Sequence, residues 1–330
     1  MKNRFHLISS VLFLIIVILI STVSLAAEKQ FIIKFATAQP PTSLRTKAIE
    51  KFKNVVEAKS NNRIRVDIYS SGTLGSERET LEGQKLGTIE MLIGDQVPNI
   101  APEIGVFTLP YLFRDREHVY SVFDGPIGEK VLKSLPSKGI HGFSNGYWEN
   151  GFRNLTNNKR PIKTPADVKG LKMRVVGQDV YIDFMTALGA LPVSMPFGEV
   201  YTALQLGTVD GQDNPMTNIY QGKIHEVQKH LAVTEHIYST VQVTASERWW
   251  QSLPKDIQSL ITQSVGEATK WNRDQMQLDE KKSFDLIKAE NPNIVITYPA
   301  KKPFTEVMQR ELYPKYEKIY GSLIKEILNQ

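Results

Sequence analysis

The segment ENGFRNLTNNKRPIKTPADVKGLKMRV, residues 149–175, carries four lysines and three arginines against two acids. Five of these cations, Lys159, Arg160, Lys163, Lys169 and Lys172, lie among Asn, Pro and Asp residues that favour turns, so solvated surface is their expected place. Arg153 and Arg174 have different neighbours. Arg153 follows Gly151-Phe152 at the end of an extended run, and Arg174 sits late in the strand-like run LKMRVV (171–176). In open α/β sheets ligands bind beyond the carboxyl ends of strands, where a guanidinium offers a rigid fork to a carboxylate. Anion binding is one use of the two arginines and a structural ion pair is the other; spacing alone does not separate them.

Other chemistries find less support. GFSNG (142–146) fits the G-x-S-x-G nucleophile pattern, with His225, His230 and His236 downstream. That pattern needs a helix straight after the serine, whereas Asn145, Gly146, Asn150 and Gly151 are poor helix formers. A turn or sheet crossing is expected there, and an exported serine hydrolase using Ser144 is the competing class. Six histidines with no cysteine, none of them in an H-E-x-x-H pair, leave no metal-ligand set. No phosphate-cradling glycine loop occurs, so neither metal nor cofactor is expected. The pair Trp249-Trp250 reads as core.

The elements that must position these residues follow from periodicity. FIIKFATA (31–38) is a strand, Ala48, Ile49, Phe52, Val55 and Val56 recur at helical spacing, and RIRVDIY (63–69) alternates as a second strand. Strand, helix and strand in about forty residues make a βαβ unit and imply a parallel sheet. Ser76 and Glu79 form a capping box opening a helix to about Leu86, and TIEMLIGD (88–95) is the next strand. IHGFSNGYW (140–148) reads as extended, Thr164-Pro165-Ala166-Asp167 as a helix start and 171–176 as a strand. Helices are expected near 179–188 and 198–206, separated by LPVSMP; 231–245 is extended. After Pro254 a helical pattern runs unbroken to about Glu290, roughly 50 Å of helix at about 1.5 Å per residue, long enough to cross two domains. A strand (293–300) and a helix from about Phe304 close the chain.

At 330 residues, with 41% apolar and 23% charged residues, the composition is that of a globular chain of two domains. Lys2 and Arg4, the apolar run VLFLIIVILI (11–20) and the small residues Ser24 and Ala26 have the layout of a cleaved signal peptide, residues 1–26, the alternative being a retained anchor. Zero cysteines exclude a disulfide scaffold and a lipid-tethered cysteine, which leaves a soluble periplasmic protein as the simplest fit. The mild positive balance, without a basic stripe interleaved with aromatics, gives no reason to expect nucleic acid.

With NGFRNLTNNKRPIKTPADVKGLKMRV stand ALGALPVSMPFGEVYTALQLGTVDGQDNP (187–215), SGTLGSERETLEGQKLGTIEM (71–91) and PEIGVFTLPYLF. Together, and in their order along the chain, they resemble the solute-binding proteins of the tripartite ATP-independent periplasmic (TRAP) transporters, the DctP-like family, over nearly the whole mature chain. The resemblance implies an α/β, two-domain periplasmic binding protein fold, type II-like, with crossing hinge strands and a long helix spanning both domains. The expected division is residues 28–151 with 240–279 as the first domain and 152–239 with 280–330 as the second. It further implies an organic-anion solute and integral-membrane permease subunits as partners, and binding without turnover. The family's central arginine falls on Arg174 in KMRV and its second arginine on Arg153 in GFR. The asparagine of VDGQDN is Asn214, the aromatic of MPFGEVY is Phe197, and the opposite domain supplies Glu77, Asp95 and, near Ala38, Gln39. Sialate-binding members tend to carry an asparagine three places after the central arginine; here Gly177 stands there, which points away from sialate, and Gln178 is a substitute polar contact.

If Arg174, Arg153, Glu77 and Asp95 face one cleft, two guanidiniums suit one carboxylate, and the two acids repel a second while accepting from hydroxyls. With Trp148 and Phe197 to cover a ring face, a sugar acid such as a hexuronate or aldonate is favoured. A C4-dicarboxylate is the alternative if Glu77 or Asp95 turns away into an ion pair. A sensor that presents its solute to a membrane receptor shares every one of these features.

Overall fold

A computed structural model of the protein describes residues 30–330; the expected signal peptide lies outside them. Strand β1 (Phe31–Ala36) pairs in parallel with β2 (Ile64–Tyr69), from Phe31 opposite Ile64 to Ala36 opposite Tyr69. The helix Leu44–Lys59 connects them, capped by Ser43, and buries Ala48, Ile49, Phe52 and Val56 against the sheet. β3 (Met91–Gly94) adds to the other side of β1, also in parallel. The intervening helix Glu77–Leu86 opens with the Ser76/Glu79 capping box and ends at Gly87.

The next strand, β4 (Ile140–Asn157), is 18 residues long and contains GFSNG, so Ser144 sits within a strand and not on a strand-to-helix turn. A second parallel set follows: β5 (Lys172–Val175) lies between β6 (Leu191–Ser194) and β7 (Gly211–Pro215) and is parallel to both. β8 (His230–Ala232) and β9 (Tyr238–Ser246) come next, and β10 (Val295–Thr297) pairs with β8. The strand order is β2-β1-β3-β9-β4-β7-β5-β6, with β8 also on β4.

The join between the two parallel sets is β4 itself. Ile140–Gly142, Tyr147–Glu149, Gly151 and Phe152 pair with β9, whereas Arg153–Asn157 pair with β7. At the change of partner the strand bulges, and Gly151 takes φ +95°, which an L side chain rarely adopts. Arg116 ties this crossing to the long helix, bonding Glu149 through Nε at 2.5 Å and Glu280 through Nη2.

The long helix, Lys255–Glu290, spans 36 residues. Its Ile257, Ile261, Val265 and Ala268 join the core around β1 and β3, with Phe35, Phe52 and Trp148. Nineteen residues beyond Ala268, Ile287 joins a separate core with Val200, Leu204, Ile219 and Leu231. One helix thus contributes to both lobes. A third core, containing Phe107, Phe123, Phe184 and Phe304, draws on both lobes and on the C-terminal helices. No helix among the described residues is long and apolar enough to cross a membrane.

Several expectations need revision. LPVSMP contains β6; 231–245 breaks into β8 and β9; the Thr164 helix start is a single 3-10 turn, Pro165–Val168, closed by Thr164 and Asp167 on each other; and the last helix is three, 301–311, 313–320 and 322–328. Gly151→Ala is expected to lower the unfolding free energy by about 1–2 kcal/mol, the cost of forcing an L residue into this backbone region, read by equilibrium urea denaturation.

Candidate anion-binding site

A cleft of about 580 Å³ opens between the two parallel sets. Its residues sit at or beyond strand carboxyl ends: Gln39 after β1, Asp95 after β3, Arg174 and Gly177 at the end of β5, Met195 and Phe197 after β6, and Asn214 at the end of β7. Glu77 enters from the first turn of its helix. Two side-chain amides bridge the two parallel sets beside the cleft: Asn99 donates to the Gly177 carbonyl at 3.1 Å, and Gln178 donates to the Asp95 carbonyl.

Arg174 is 3% exposed. Its Nε and Nη2 both donate to the carbonyl of Met195, at 3.0 and 2.8 Å, which fixes the plane of the guanidinium. It has no carboxylate ion-pair partner among the described residues. Burial and the nearby charge of Arg153 push its pKa down to about 10, against the pull of Asp213, Asp95 and Glu77. An oriented cation in this condition, lining a cleft, is a site for an anion. Beside it Asn214 donates to Gln212 at 2.5 Å and accepts from Asn218 at 3.3 Å, while Phe197 packs half-buried on the core behind.

The opposite wall is acidic. Glu77 accepts from the Asp95 backbone N–H at 3.0 Å, and Gly94 permits this approach, since a Cβ there would lie 3.1 Å from the Glu77 carboxyl carbon. Burial, then the neighbouring Asp95 charge, push the Glu77 pKa up to about 7, with Arg45 opposing. Arg45 stands behind both acids, 3.4 Å from Glu77 Oε1 and 3.7 Å from Asp95 Oδ2. No feature of the sequence singled it out: its partners lie far along the chain.

Three expected contacts fall elsewhere. Arg153 does not line the cleft. It is 1% exposed, donates to Asp213 Oδ2 at 2.6 Å and to the Asp213 carbonyl at 2.5 Å, and stacks over Tyr181 with its guanidinium carbon 4.9 Å from the ring centre. The two-arginine clamp is therefore one arginine at the cleft and one a layer behind, because a buried carboxylate from β7 already occupies the second. Burial disfavours a charged Asp213, but Arg153 and His236 outweigh it and hold the acid well below its usual range. Trp148 points to the other side of its strand, where its indole donates to Thr269 Oγ1 at 2.8 Å inside the core. Gln178 lies behind the cleft wall, on the Asp95 carbonyl. The four lysines of the 149–175 segment are exposed, as the turn-rich surroundings indicate, and Arg160 bonds the Asp167 carbonyl at 2.8 Å. No cluster of potential metal ligands occurs among the described residues.

The profile of the bacterial extracellular solute-binding proteins, family 7 (DctP), matches residues 35–319. The chain belongs to this family. Its members are the solute-binding subunits of TRAP transporters, and their structures are two-domain α/β proteins with a long helix, as found here. The 2,3-diketo-L-gulonate-binding periplasmic protein of Escherichia coli K12 is 32% identical over 300 residues, 90% of each chain. The C4-dicarboxylate-binding periplasmic protein of Rhodobacter capsulatus is 34% identical over 270 residues, 80% of this chain and 79% of that one. A TRAP solute-binding protein from Polaromonas sp. JS666, bound to D-erythronate, superposes with a TM-score of 0.86 at 33% identity, covering 91% of this chain and 98% of the other. Sugar acids and dicarboxylates are thus both found among this chain's relatives.

Two outcomes follow from the charges. Arg153→Met leaves a buried acid without its main partner and is expected to cost about 3–5 kcal/mol in urea denaturation. Glu77 has its folded pKa raised, so its stabilising contribution is complete below its unfolded value and is lost as pH rises towards about 7. The melting temperature of solute-free Glu77→Gln should therefore gain on that of the wild type between pH 5 and pH 8.

Proposed function

We propose that this protein captures a hydroxylated monocarboxylate, a hexuronate or aldonate, in the periplasm and delivers it to the integral-membrane subunits of a TRAP transporter. The observation that carries the reading is Arg174, a buried guanidinium with no carboxylate partner among the described residues, facing the Glu77–Asp95 wall across the cleft. A solute carboxylate supplies the missing counter-charge on one wall. The hydroxyls supply donors to carboxylate oxygens and to Gln39 on the other.

The protein binds without turnover. The lobes taken as the moving bodies are residues 28–151 with 240–279 and residues 152–239 with 280–330; the change of partner along β4 supports a division near Phe152. A solute that touches both walls binds the closed form better than the open one, and that difference shifts the population towards closure.

A C4-dicarboxylate is the second reading. Arg45 offsets part of the acidic wall, and a Glu77 protonated below about pH 7 could donate to a second carboxylate.

Calorimetric titration with D-galacturonate, D-galactonate and succinate separates the two. Hydroxyls bound to Glu77 favour its ionised form, so sugar-acid affinity is expected to rise between pH 6 and pH 8; a second carboxylate favours the protonated form, so succinate affinity should fall. Arg174→Ala is expected to weaken sugar-acid binding by roughly 30- to 3,000-fold, the equivalent of about 2–5 kcal/mol, while the solute-free melting temperature stays nearly constant. A collapse of the solute-free protein would make Arg174 structural.

A further inference from the structure

The wall facing Arg174 is backed by Arg45, which lies behind it and not at the cleft surface. Arg45 is the second residue of the helix Leu44–Lys59; it is 4% exposed and does not line the cleft. Its Nη1 donates to Glu77 Oε1 at 3.4 Å, and its Nη2 stands 3.7 Å from Asp95 Oδ2, one carboxylate to each nitrogen. Its Nε and Nη2 have no hydrogen-bond partner, and neither has Asp95 Oδ1. A guanidinium buried with two nitrogens unbonded is unfavourable on its own. It stays because the alternative, two carboxylates meeting in a partly desolvated wall with no cation beside them, is worse.

We propose that Arg45 sets the solute preference of the cleft: it holds Glu77 and Asp95 side by side as hydrogen-bond acceptors, and so favours a hydroxylated monocarboxylate over a dicarboxylate. This rests on the proposed function above.

The charges that bear on the acid pair are few. Arg45 acts from behind and Arg174 from across the cleft; Arg153, Asp213 and Tyr181 lie behind Arg174, and Arg78 is at the cleft rim. Among the described residues only Arg45 forms an ion pair within 4 Å with both acids. Without it Glu77 retains its proton to higher pH, because the neighbouring Asp95 charge then opposes its ionisation with no adjacent cation to offset it. A protonated acid is a weaker acceptor for hydroxyls and a new donor for a carboxylate. Loss of Arg45 therefore moves preference from polyol acids towards dicarboxylates.

A cation that merely attracts anions does the reverse. Its removal costs a dianion more than a monoanion, since the Coulomb term scales with charge. The direction of the selectivity change decides between the two roles.

The test is calorimetric titration of the mature chain, wild type, Arg45→Met and Arg45→Lys, with D-galacturonate and succinate at pH 6, 7 and 8. Arg45→Met is expected to lose about tenfold or more in galacturonate affinity at pH 8, where it sacrifices charge-assisted hydrogen bonds, and less at pH 6. Succinate affinity should hold or improve, and Arg45→Lys, which keeps the charge, should retain most of the wild-type preference. Equal losses for both solutes, a larger loss for succinate, or no change in Arg45→Met would overturn the proposal. So would failure of both variants to melt cooperatively, which would make Arg45 a folding residue. A wild type that binds succinate but neither galacturonate nor galactonate fails the proposed function itself, which is visible before any variant is made, and the inference falls with it.

Discussion

Placing a guanidinium in a protein wall without a carboxylate beside it is unfavourable, and much of the cleft is arranged around how that state is contained at Arg174. Two of its nitrogens share one backbone carbonyl, that of Met195, supplied by the residue just past β6. That acceptor is neutral. It orients the fork without satisfying the charge, and burial together with Arg153 leaves the cation poorly stabilised. A solute carboxylate in contact with Arg174 meets a partner whose desolvation was completed during folding, so the pair gains more than two hydrated ions meeting in water.

Everything behind Arg174 serves to keep its position without neutralising it. Asp213, the acid whose charge acts most strongly on Arg174, is bound by Arg153 at 2.6 Å and by His236 at 3.3 Å. His236 in turn stacks on Phe184 with ring centres 4.5 Å apart. The second buried arginine thus consumes the acid that would otherwise close on the first. Across the cleft Glu77 and Asp95 are engaged by Arg45, which keeps them on their own wall. Around the cleft Arg174 is left without a carboxylate partner among the described residues, while the two acids opposite share one cation, Arg45, and the two walls belong to bodies joined by a bulged strand and one long helix. In the proposed function a solute anion supplies the counter-charge that Arg174 lacks.

Much of this was legible in the sequence. The apolar run of β1, the alternation in β2, the capping box at Ser76 and the unbroken pattern after Pro254 each report local physics, and each element formed where its pattern lay. Arg174, Glu77, Asp95, Asn214, Phe197 and Gln39 sit on motifs and do line the cleft. What could not be read were partnerships made in space. Arg153 looks like Arg174 in composition, but its partner Asp213 is 60 residues away; Arg45 looks like an ordinary polar residue early in a helix, and the acid it bonds is 32 residues on. Trp148 reads as a cleft aromatic from its neighbours, yet it lies on the face of β4 that packs against the long helix, 121 residues further along the chain. The side a strand residue faces depends on its partners and its bulges, and β4 has both kinds of irregularity.

The most direct test of the lone-guanidinium principle changes the solute and leaves the protein intact. D-galactose presents nearly the same ring and hydroxyls as D-galacturonate but has no carboxylate. If the carboxylate pairs with Arg174 in a water-excluded cleft, galactose should bind at least about a thousandfold more weakly by calorimetry, the upper range for removing one partner of a buried charge pair. Galactose binding within about tenfold of galacturonate would show that the hydroxyl wall carries recognition, and that the buried charge of Arg174 serves the fold and not the solute.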